Sequence, residues 1–214
     1  MTEDKKNNGT PTVLHQTAEY AVCVKPVGIS SEGDAGLPGL LHRQLGGDWF
    51  PVHRLDQAVG GVMLLAKSAE AAARLSAAAQ AGKIEKEYLA VLSGIPQESE
   101  GTLTDLLFHD RTKNKTYVVK RKRAGVKEAR LYYIVWKTAD GRSLVRVRLE
   151  TGRTHQIRVQ FASRGLPLVG DGKYGSRDGK GTPALWSYRL TVNGETFEAL
   201  PEGAAWEQFD LADL

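Results

Sequence analysis

The 214-residue sequence contains a single cysteine, Cys23, which excludes an internal disulfide. Cys23 lies in the apolar alternation Ala21-Val22-Cys23-Val24, and this setting favours a small buried hydrophobe over a reactive thiol. Long apolar runs are also missing, because the longest, residues 62–66, is far too short to span a bilayer. Residues 1–12 are polar and lack the apolar core of a signal peptide. These absences predict a cytoplasmic protein of a reducing compartment that is not a membrane protein.

Signals for metals and cofactors are equally sparse. The five histidines show no paired spacing and there is one cysteine, so we expect no zinc or other metal site. Residues 170–175 match a dinucleotide-binding glycine pattern, but residues 176–183 cannot readily start the helix which that pattern needs. A phosphate-binding loop also fails, because Gly181 follows Lys180 where Ser or Thr is required. We therefore expect no cofactor.

Acidic residues are nearly absent from residues 111–130, where Glu128 stands alone against Lys and Arg side chains that bring the local charge to about +8. The whole chain carries a net charge of +4, so its basicity is concentrated in this segment. The β-prone residues 116–119 interrupt the charges and predict a basic hairpin or loop that could lie along a phosphate backbone. A solvated edge strand whose lysines prevent pairing with another sheet is the alternative.

The segment His53-Arg54-Leu55-Asp56 carries the most information in the sequence. It stands just ahead of a glycine pair, Gly60-Gly61, and of the apolar run at residues 62–66. The apolar run predicts a buried strand, so the carboxylate of Asp56 would be held at the rim of a rigid sheet, where a catalytic group belongs. A turn aspartate or a surface ion pair between Arg54 and Asp56 is the simpler interpretation.

Together with Gly61-Val62-Met63-Leu64-Leu65-Ala66-Lys67, this segment resembles the catalytic motif of the RluA-type pseudouridine synthases, which isomerise uridine in RNA. Two further segments resemble the same family in the same order: Lys86-Glu87-Tyr88-Leu89-Ala90, and Gly152-Arg153-Thr154-His155-Gln156-Ile157-Arg158-Val159, which continues to Pro167-Leu168-Val169-Gly170-Asp171 and Lys173-Tyr174-Gly175. Val24-Lys25-Pro26-Val27-Gly28 is similar to the family's opening, and the resemblance spans about residues 20–200. Val59-Gly60 and Gln160 depart from the commoner pattern, which has Thr-Ser and often histidine at these places.

The polarity of residues 1–12 predicts a disordered N-terminal tail, and the chain length predicts one domain over residues 13–214, which the resemblance identifies as the catalytic domain. It also implies the α+β fold of the pseudouridine synthases, a mixed, mostly antiparallel β-sheet flanked by helices. Local patterns predict helices over residues 37–45, between Ser68 and Gly82, and over residues 153–164. They predict strands over residues 13–25, 62–66, 87–93, 131–137, 143–149, 186–192 and 196–200.

By the same resemblance Asp56 is the nucleophile or base, Arg158 is the cation paired with it, and Tyr88 stacks on a target uridine that has been flipped out of the RNA. Burying a carboxylate disfavours its charge unless a cation stands close, which gives Arg158 its implied purpose. Arg54 resembles the arginine inserted near the vacated position, and could instead bind phosphate. Tyr88 as a core aromatic and Arg158 as an exposed helix charge are the plain alternatives.

The remaining candidate residues are polar side chains expected to contact RNA: His53, Arg153, His155, Lys120, Arg121, Lys122 and Arg123. The expected substrate is a specific uridine in a structured transfer or ribosomal RNA, and the expected form of the protein is a monomer. Two other functions stay open. One is a non-catalytic RNA-binding protein on the same scaffold. The other is an N-glycosidase-type hydrolase, in which a carboxylate also attacks ribose C1′ but water completes the reaction.

Overall fold

The computed structural model describes residues 9–178 and 181–214, so most of the expected N-terminal tail and Lys180 lie outside the described residues. The strands and helices of the described chain are β1 (Thr12–Gln16), β2 (Tyr20–Lys25), α1 (Leu37–Leu45), β3 (Phe50–Pro51), β4 (Gly60–Ala66), α2 (Ala69–Gln80), β5 (Glu85–Leu92), β6 (Glu100–Asp110), β7 (Lys115–Val119), β8 (Val126–Ala139), β9 (Arg142–Leu149), α3 (Gln156–Ala162), β10 (Leu185–Val192) and β11 (Glu195–Glu198). Gly172–Tyr174 forms one turn of 3-10 helix.

The chain divides into two compact units. The first comprises the described residues up to Ile84 together with Leu190–Ala199, and the second comprises Glu85–Arg189 and Leu200–Leu214. In the first unit β2 lies between β1 and β4, and β3 also pairs with β4, all antiparallel. Every residue of β4 is buried, as its continuous apolar run predicts.

Helix α2 packs on the sheet of the first unit through Ala71 and Leu75, which join Val22, Val62 and Leu64 in one hydrophobic cluster. The Oγ of Ser68 accepts a hydrogen bond from Ala71 N at 3.1 Å, so the predicted cap of this helix is confirmed. Helix α1 has the predicted bounds and is followed by the capping residue Gly46, whose φ of 71° suits glycine.

The prediction of one strand over residues 13–25 is wrong, because β1 and β2 are separate strands of a hairpin. Thr17 explains the difference. Its Oγ1 accepts hydrogen bonds from Glu19 N at 3.1 Å and from Tyr20 N at 3.0 Å, and its own N–H donates to Tyr20 O at 2.8 Å. A threonine side chain that satisfies two backbone N–H groups stabilises a tight turn where alternation alone suggested extended chain.

In the second unit the strands run in the order β5, β9, β8, β6, β7, and each of these neighbouring pairs is antiparallel. The predicted hairpin of β8 and β9 is confirmed, with Asp140 and Gly141 at φ of 49° and 73° in its turn. Strand β6 was not predicted. Only Leu103 and Leu107 of its residues are buried, and a spacing of four hides the two-residue period of a strand.

Helix α3 is shorter than the predicted span of residues 153–164. His155 precedes it with a φ of 53°, a left-handed conformation that cannot belong to the helix. The side chain of Gln156 accepts hydrogen bonds from Arg153 N and from Thr151 Oγ1, both at 2.9 Å, and so holds the preceding residues in a loop. Gln156 to Phe161 are all buried, which makes α3 a core helix rather than a surface one.

The predicted hairpin of β10 and β11 is also confirmed, since Asn193 and Gly194 both have positive φ in its turn. Among the described residues, no helix is long and apolar enough to cross a membrane.

Candidate active site

In the first unit, Asp56 lies in the loop between β3 and β4, and the start of this loop is fastened to β4. Val52 N donates to Leu64 O at 3.1 Å, and Leu64 N donates to Nε2 of His53 at 3.3 Å. Because that ring nitrogen accepts, it carries no proton. His53, which the sequence suggested as an RNA contact, therefore helps to hold the loop that carries Asp56.

Backbone groups on both sides of Asp56 are bonded to buried or turn-forming partners. The buried Oγ of Ser31 donates to Leu55 O at 2.8 Å and accepts from Leu55 N at 3.0 Å. Val59 N donates to Asp56 O at 2.9 Å and closes a turn just before β4. The half-buried Asp56 is thus carried on a backbone whose conformation is fixed by its neighbours.

Lys25 is fully buried in the same unit, and sequence reasoning assigned it no role. Its Nζ donates to the carbonyl oxygens of Ile29 at 2.6 Å, Pro26 at 2.9 Å and Gln57 at 3.4 Å. Burial lowers the pKa of Lys25 from 10.5 to about 8, although the negative charge of Asp56 opposes this shift. A cation therefore acts on Asp56 within its own unit, whereas the sequence reasoning considered Arg158 alone. The sequence did contain a signal for this role, because Lys25 is a lysine within an apolar strand.

Arg54 is placed differently from its neighbours in the sequence. Its guanidinium lies 3.2 Å from the carboxylate of Glu32, and the two side chains are 64% and 59% exposed. An ion pair this exposed contributes little to stability, and its arginine can exchange one anionic partner for another.

In the second unit, Arg158 is buried on α3 and bound by a carboxylate that was not predicted. Its Nε donates to Oδ2 of Asp171 at 2.7 Å and its Nη2 donates to Oδ1 at 2.9 Å. The side chains are 8% and 1% exposed, so Arg158 is not the exposed helix charge of the plain alternative. Asp171 belongs to a segment that carried the family resemblance, but the sequence offered no role for it.

Tyr174 connects Arg158 with strand β7. The guanidinium of Arg158 lies 5.1 Å from the Tyr174 ring centroid, and the Nζ of Lys115 lies 5.3 Å from it. The Tyr174 hydroxyl accepts from Thr116 N at 2.9 Å and lies 2.9 Å from Nδ1 of His155. Burial raises the pKa of Tyr174, so its hydroxyl keeps a proton that it can donate to His155.

Three other predicted site residues of the second unit, Tyr88, Arg153 and His155, are buried or bonded to the protein itself. Tyr88 lies in β5 opposite Val147 and is 6% exposed. His155, predicted to contact RNA, is also buried, and Arg153 Nε donates to Glu128 O at 3.0 Å. Arg153 and His155 thus hold the loop before α3 in place.

Lys120, Arg121, Lys122 and Arg123 are all exposed in the loop between β7 and β8. Strand β7 ends the strand order of this unit and pairs with β6 on one side. We call residues 106–126 the basic ribbon. It is a β-hairpin with its following loop, so the predicted hairpin is present and the cations lie along a sheet edge.

Gln160, one of the two departures from the commoner family pattern, is fully buried on α3. Its Nε2 donates to Oδ2 of Asp105 at 2.7 Å and to Leu103 O at 3.2 Å, which fastens α3 to β6. At the other departure, Val59 is 2% exposed and packs in the core. Both residues therefore serve the structure that carries the candidate residues.

Residues 19–163 match the family model described as RNA pseudouridylate synthase. A protein of Zymomonas mobilis named as an uncharacterized RNA pseudouridine synthase is 37% identical over 172 residues, which are 77% of this chain and 78% of that protein. Ribosomal large subunit pseudouridine synthase D of Yersinia pestis is 32% identical over 88% of this chain, which spans 60% of that relative. The solved structure of human RNA pseudouridylate synthase domain containing 4 covers 88% of both chains with a TM-score of 0.74 and 22% identity, a likeness of fold.

Proposed function

Because the chain belongs to the RNA pseudouridylate synthase family, we propose that it converts uridine to pseudouridine in structured RNA, with Asp56 as nucleophile or base. The strongest support is the Asp56 loop of the first unit. Its backbone is bonded to the buried Ser31, and the Nζ of the buried Lys25 donates to the carbonyl oxygen of Gln57, the residue next to Asp56. A fixed, ionised carboxylate at the rim of a sheet is what the reaction requires.

The isomerisation needs no external reactant. The bond from ribose C1′ to uracil N1 breaks, the base turns, and C1′ bonds to C5. C5 then loses its proton while N1 gains one, so the atoms balance. An ionised Asp56 can add to C1′, or it can take a sugar proton once the base has left. Tyr88 and Arg158 keep the roles that the family resemblance implies, with Tyr88 stacking on the base and Arg158 supplying positive charge.

For the substrate we propose a class of RNA and not a particular molecule. The names of several relatives point to ribosomal RNA of the large subunit, and transfer RNA is the other candidate. The exposed cations of the basic ribbon suit either, because they bind the phosphate backbone without reading sequence. We further propose that the protein acts as a monomer in the cytoplasm.

Site-resolved pseudouridine mapping in cells with and without the protein tests this function. At least one site should lose its pseudouridine, and the purified protein should restore it on the same RNA. Asp56→Asn should lower the single-turnover rate by at least about a thousandfold, because the variant keeps its fold but has no charged carboxylate.

Asp48→Asn is the matched control, since Asp48 is an exposed aspartate of the same unit and should leave the rate unchanged. A rate for Asp56→Asn within tenfold of the unmodified protein would refute the role of Asp56. Release of free uracil would instead indicate a hydrolase, and RNA binding without any modified uridine would indicate a non-catalytic binding protein.

A further inference from the structure

The outer face of the basic ribbon carries two aromatic side chains side by side. Phe108 of β6 and Tyr117 of β7 are directly opposite in the antiparallel register, so their side chains lie on the same face of the hairpin. Both are half-buried, and each therefore leaves part of its ring to solvent. The sequence predicts only cations as RNA-binding residues in this segment, so the aromatic pair adds a second kind of group to the same surface.

The opposite face of the hairpin is already occupied. Leu107 and Thr116 point to that side and are 3% and 1% exposed. Thr116 Oγ1 donates to Thr154 O at 2.8 Å, and Thr116 N donates to the Tyr174 hydroxyl. That face therefore packs on the loop before α3 and on Tyr174. Phe108 and Tyr117 lie on the other face, and Lys115 at the start of β7 lies within cation–π distance of both the Tyr117 and the Tyr174 rings.

Each aromatic ring has a cation over it. The guanidinium carbon of Arg123 lies 4.9 Å from the Phe108 ring centroid, and the Nζ of Lys115 lies 5.8 Å from the centroid of Tyr117. The turn that brings Arg123 there is closed by Val126 N, which donates to Arg123 O at 3.0 Å. Gly125 in this turn has a φ of +79°, and a Cβ at that position would lie 3.4 Å from the Phe108 ring.

The loop thus folds back on the aromatic face, and Gly125 supplies the positive φ that this turn requires. Exposed cations that only kept the edge strand in solution would not need this arrangement. Lys113, Lys120, Arg121 and Lys122 are exposed on the same ribbon, so the aromatic pair belongs to a strongly basic segment. Aromatic rings within a basic surface are the usual means by which proteins bind unpaired nucleotides, since the rings stack on bases and the cations contact phosphates.

We propose that Phe108 and Tyr117, with Arg123 and Lys115, form a stacking site for an unpaired nucleotide of the RNA substrate, built from residues other than those of the Asp56 loop. The site rests on the proposed function, because the substrate must be RNA. The ligand is single-stranded RNA rather than duplex, since only an unpaired base offers a free face to the rings.

Affinity measured against salt concentration tests the site on the full-length protein. With a short single-stranded oligouridine as the probe, Phe108→Leu and Tyr117→Leu should each weaken binding by about tenfold. The slope of log affinity against log salt should stay unchanged, because neither aromatic side chain binds a phosphate. Phe108→Tyr and Tyr117→Phe should keep the affinity of the unmodified protein. Lys122→Ala is the matched control, and it should lower the slope by about 0.7.

Photocross-linking of 5-iodouridine RNA gives a second measurement that uses the unmodified protein. Cross-links to Phe108 or Tyr117 are expected. Full affinity in both leucine variants, or cross-links confined to other residues, would overturn the stacking site and leave the aromatic pair a packing feature of the hairpin. A protein that modifies no RNA would instead overturn the proposed function, so the two failures can be told apart.

Discussion

The Asp56 loop of the first unit and the basic ribbon of the second hold their charged groups in opposite ways. In the loop, the buried Ser31 and Lys25 bond to the backbone of Leu55 and Gln57 on either side of Asp56, and little of that structure can move without breaking hydrogen bonds. In the ribbon, Lys120, Arg121 and Lys122 are exposed in the loop that follows β7. A group proposed to react is thus fixed in position, whereas groups proposed to bind phosphate are left free to adjust.

Two arginines show the same contrast at the level of single ion pairs. Arg158 is bound by Asp171 through two hydrogen bonds in a buried pair, whereas Arg54 meets Glu32 in an exposed one. The buried pair has lost its water, so each partner depends on the other. The exposed pair keeps its water, and either partner can leave at little cost.

Breaking each pair should therefore have unequal effects, and the largest loss of stability is expected for Asp171→Asn. This variant leaves the buried guanidinium of Arg158 without its carboxylate, which should lower the free energy of unfolding by about 3–5 kcal/mol. Arg54→Gln is the matched control and should lower it by less than about 1 kcal/mol. Urea unfolding of the two variants measures both values. Equal losses would contradict the distinction between a fixed and an exchangeable arginine.

A second prediction concerns the ribbon. Changing Lys120, Arg121, Lys122 and Arg123 together to Ala should weaken RNA binding and flatten its salt dependence by about 0.7 for each phosphate that is no longer bound, or up to about 2.8 for four. The single-turnover rate at saturating RNA should survive, because none of these residues belongs to the Asp56 loop. Filter binding over a range of salt concentrations measures the slope. An unchanged slope would assign these cations to the solubility of the edge strand.

The third prediction uses the buried Lys25, whose pKa of about 8 in the folded protein is lower than the ordinary 10.5 expected when it is unfolded. Between these pH values the unfolded chain holds the proton that the folded one has lost, so the contribution of Lys25 to stability rises with pH. Below pH 8 the folded protein keeps Lys25 charged, and the buried charge lowers the free energy of unfolding by its full amount. From pH 7.5 to pH 9.5 the contribution of Lys25 to the free energy of unfolding should rise by about 2 kcal/mol.

Lys25→Met should remove this rise, since methionine fills a similar volume without a charge. Unfolding free energies of both proteins at several pH values provide the test, and the difference between them cancels the titration of other groups. A difference that does not change with pH would show that Lys25 keeps its charge throughout this range.

The sequence predicted those parts of the fold in which one residue pattern determines one element. Strand β4 has a continuous apolar run, and α2 has the cap Ser68, so both were found. The position of Asp56 beside β4 followed from the same run. Tertiary contacts decided the rest. Strand β6 buries too few of its residues to show a period, and α3 begins late because His155 adopts a left-handed conformation.

Lys25 and Asp171 were missed for a related reason. Each is a buried charged residue whose importance depends on partners distant in the sequence: Gln57 for Lys25 and Arg158 for Asp171. Composition and periodicity treat charge as a sign of exposure. Both residues lie in segments that carried the family resemblance, which located them without indicating what they contact.

Gln160 gives α3 an attachment that does not respond to acid in the way a histidine would. Its amide donates to the carboxylate of Asp105 and to Leu103 O, and Arg164 also binds Asp105, at 2.8 Å. An imidazole in this place would gain or lose charge near neutral pH, whereas an amide carries both of its protons at every pH in which the protein is folded. The helix that bears Arg158 is therefore anchored through a side chain that has no titratable group.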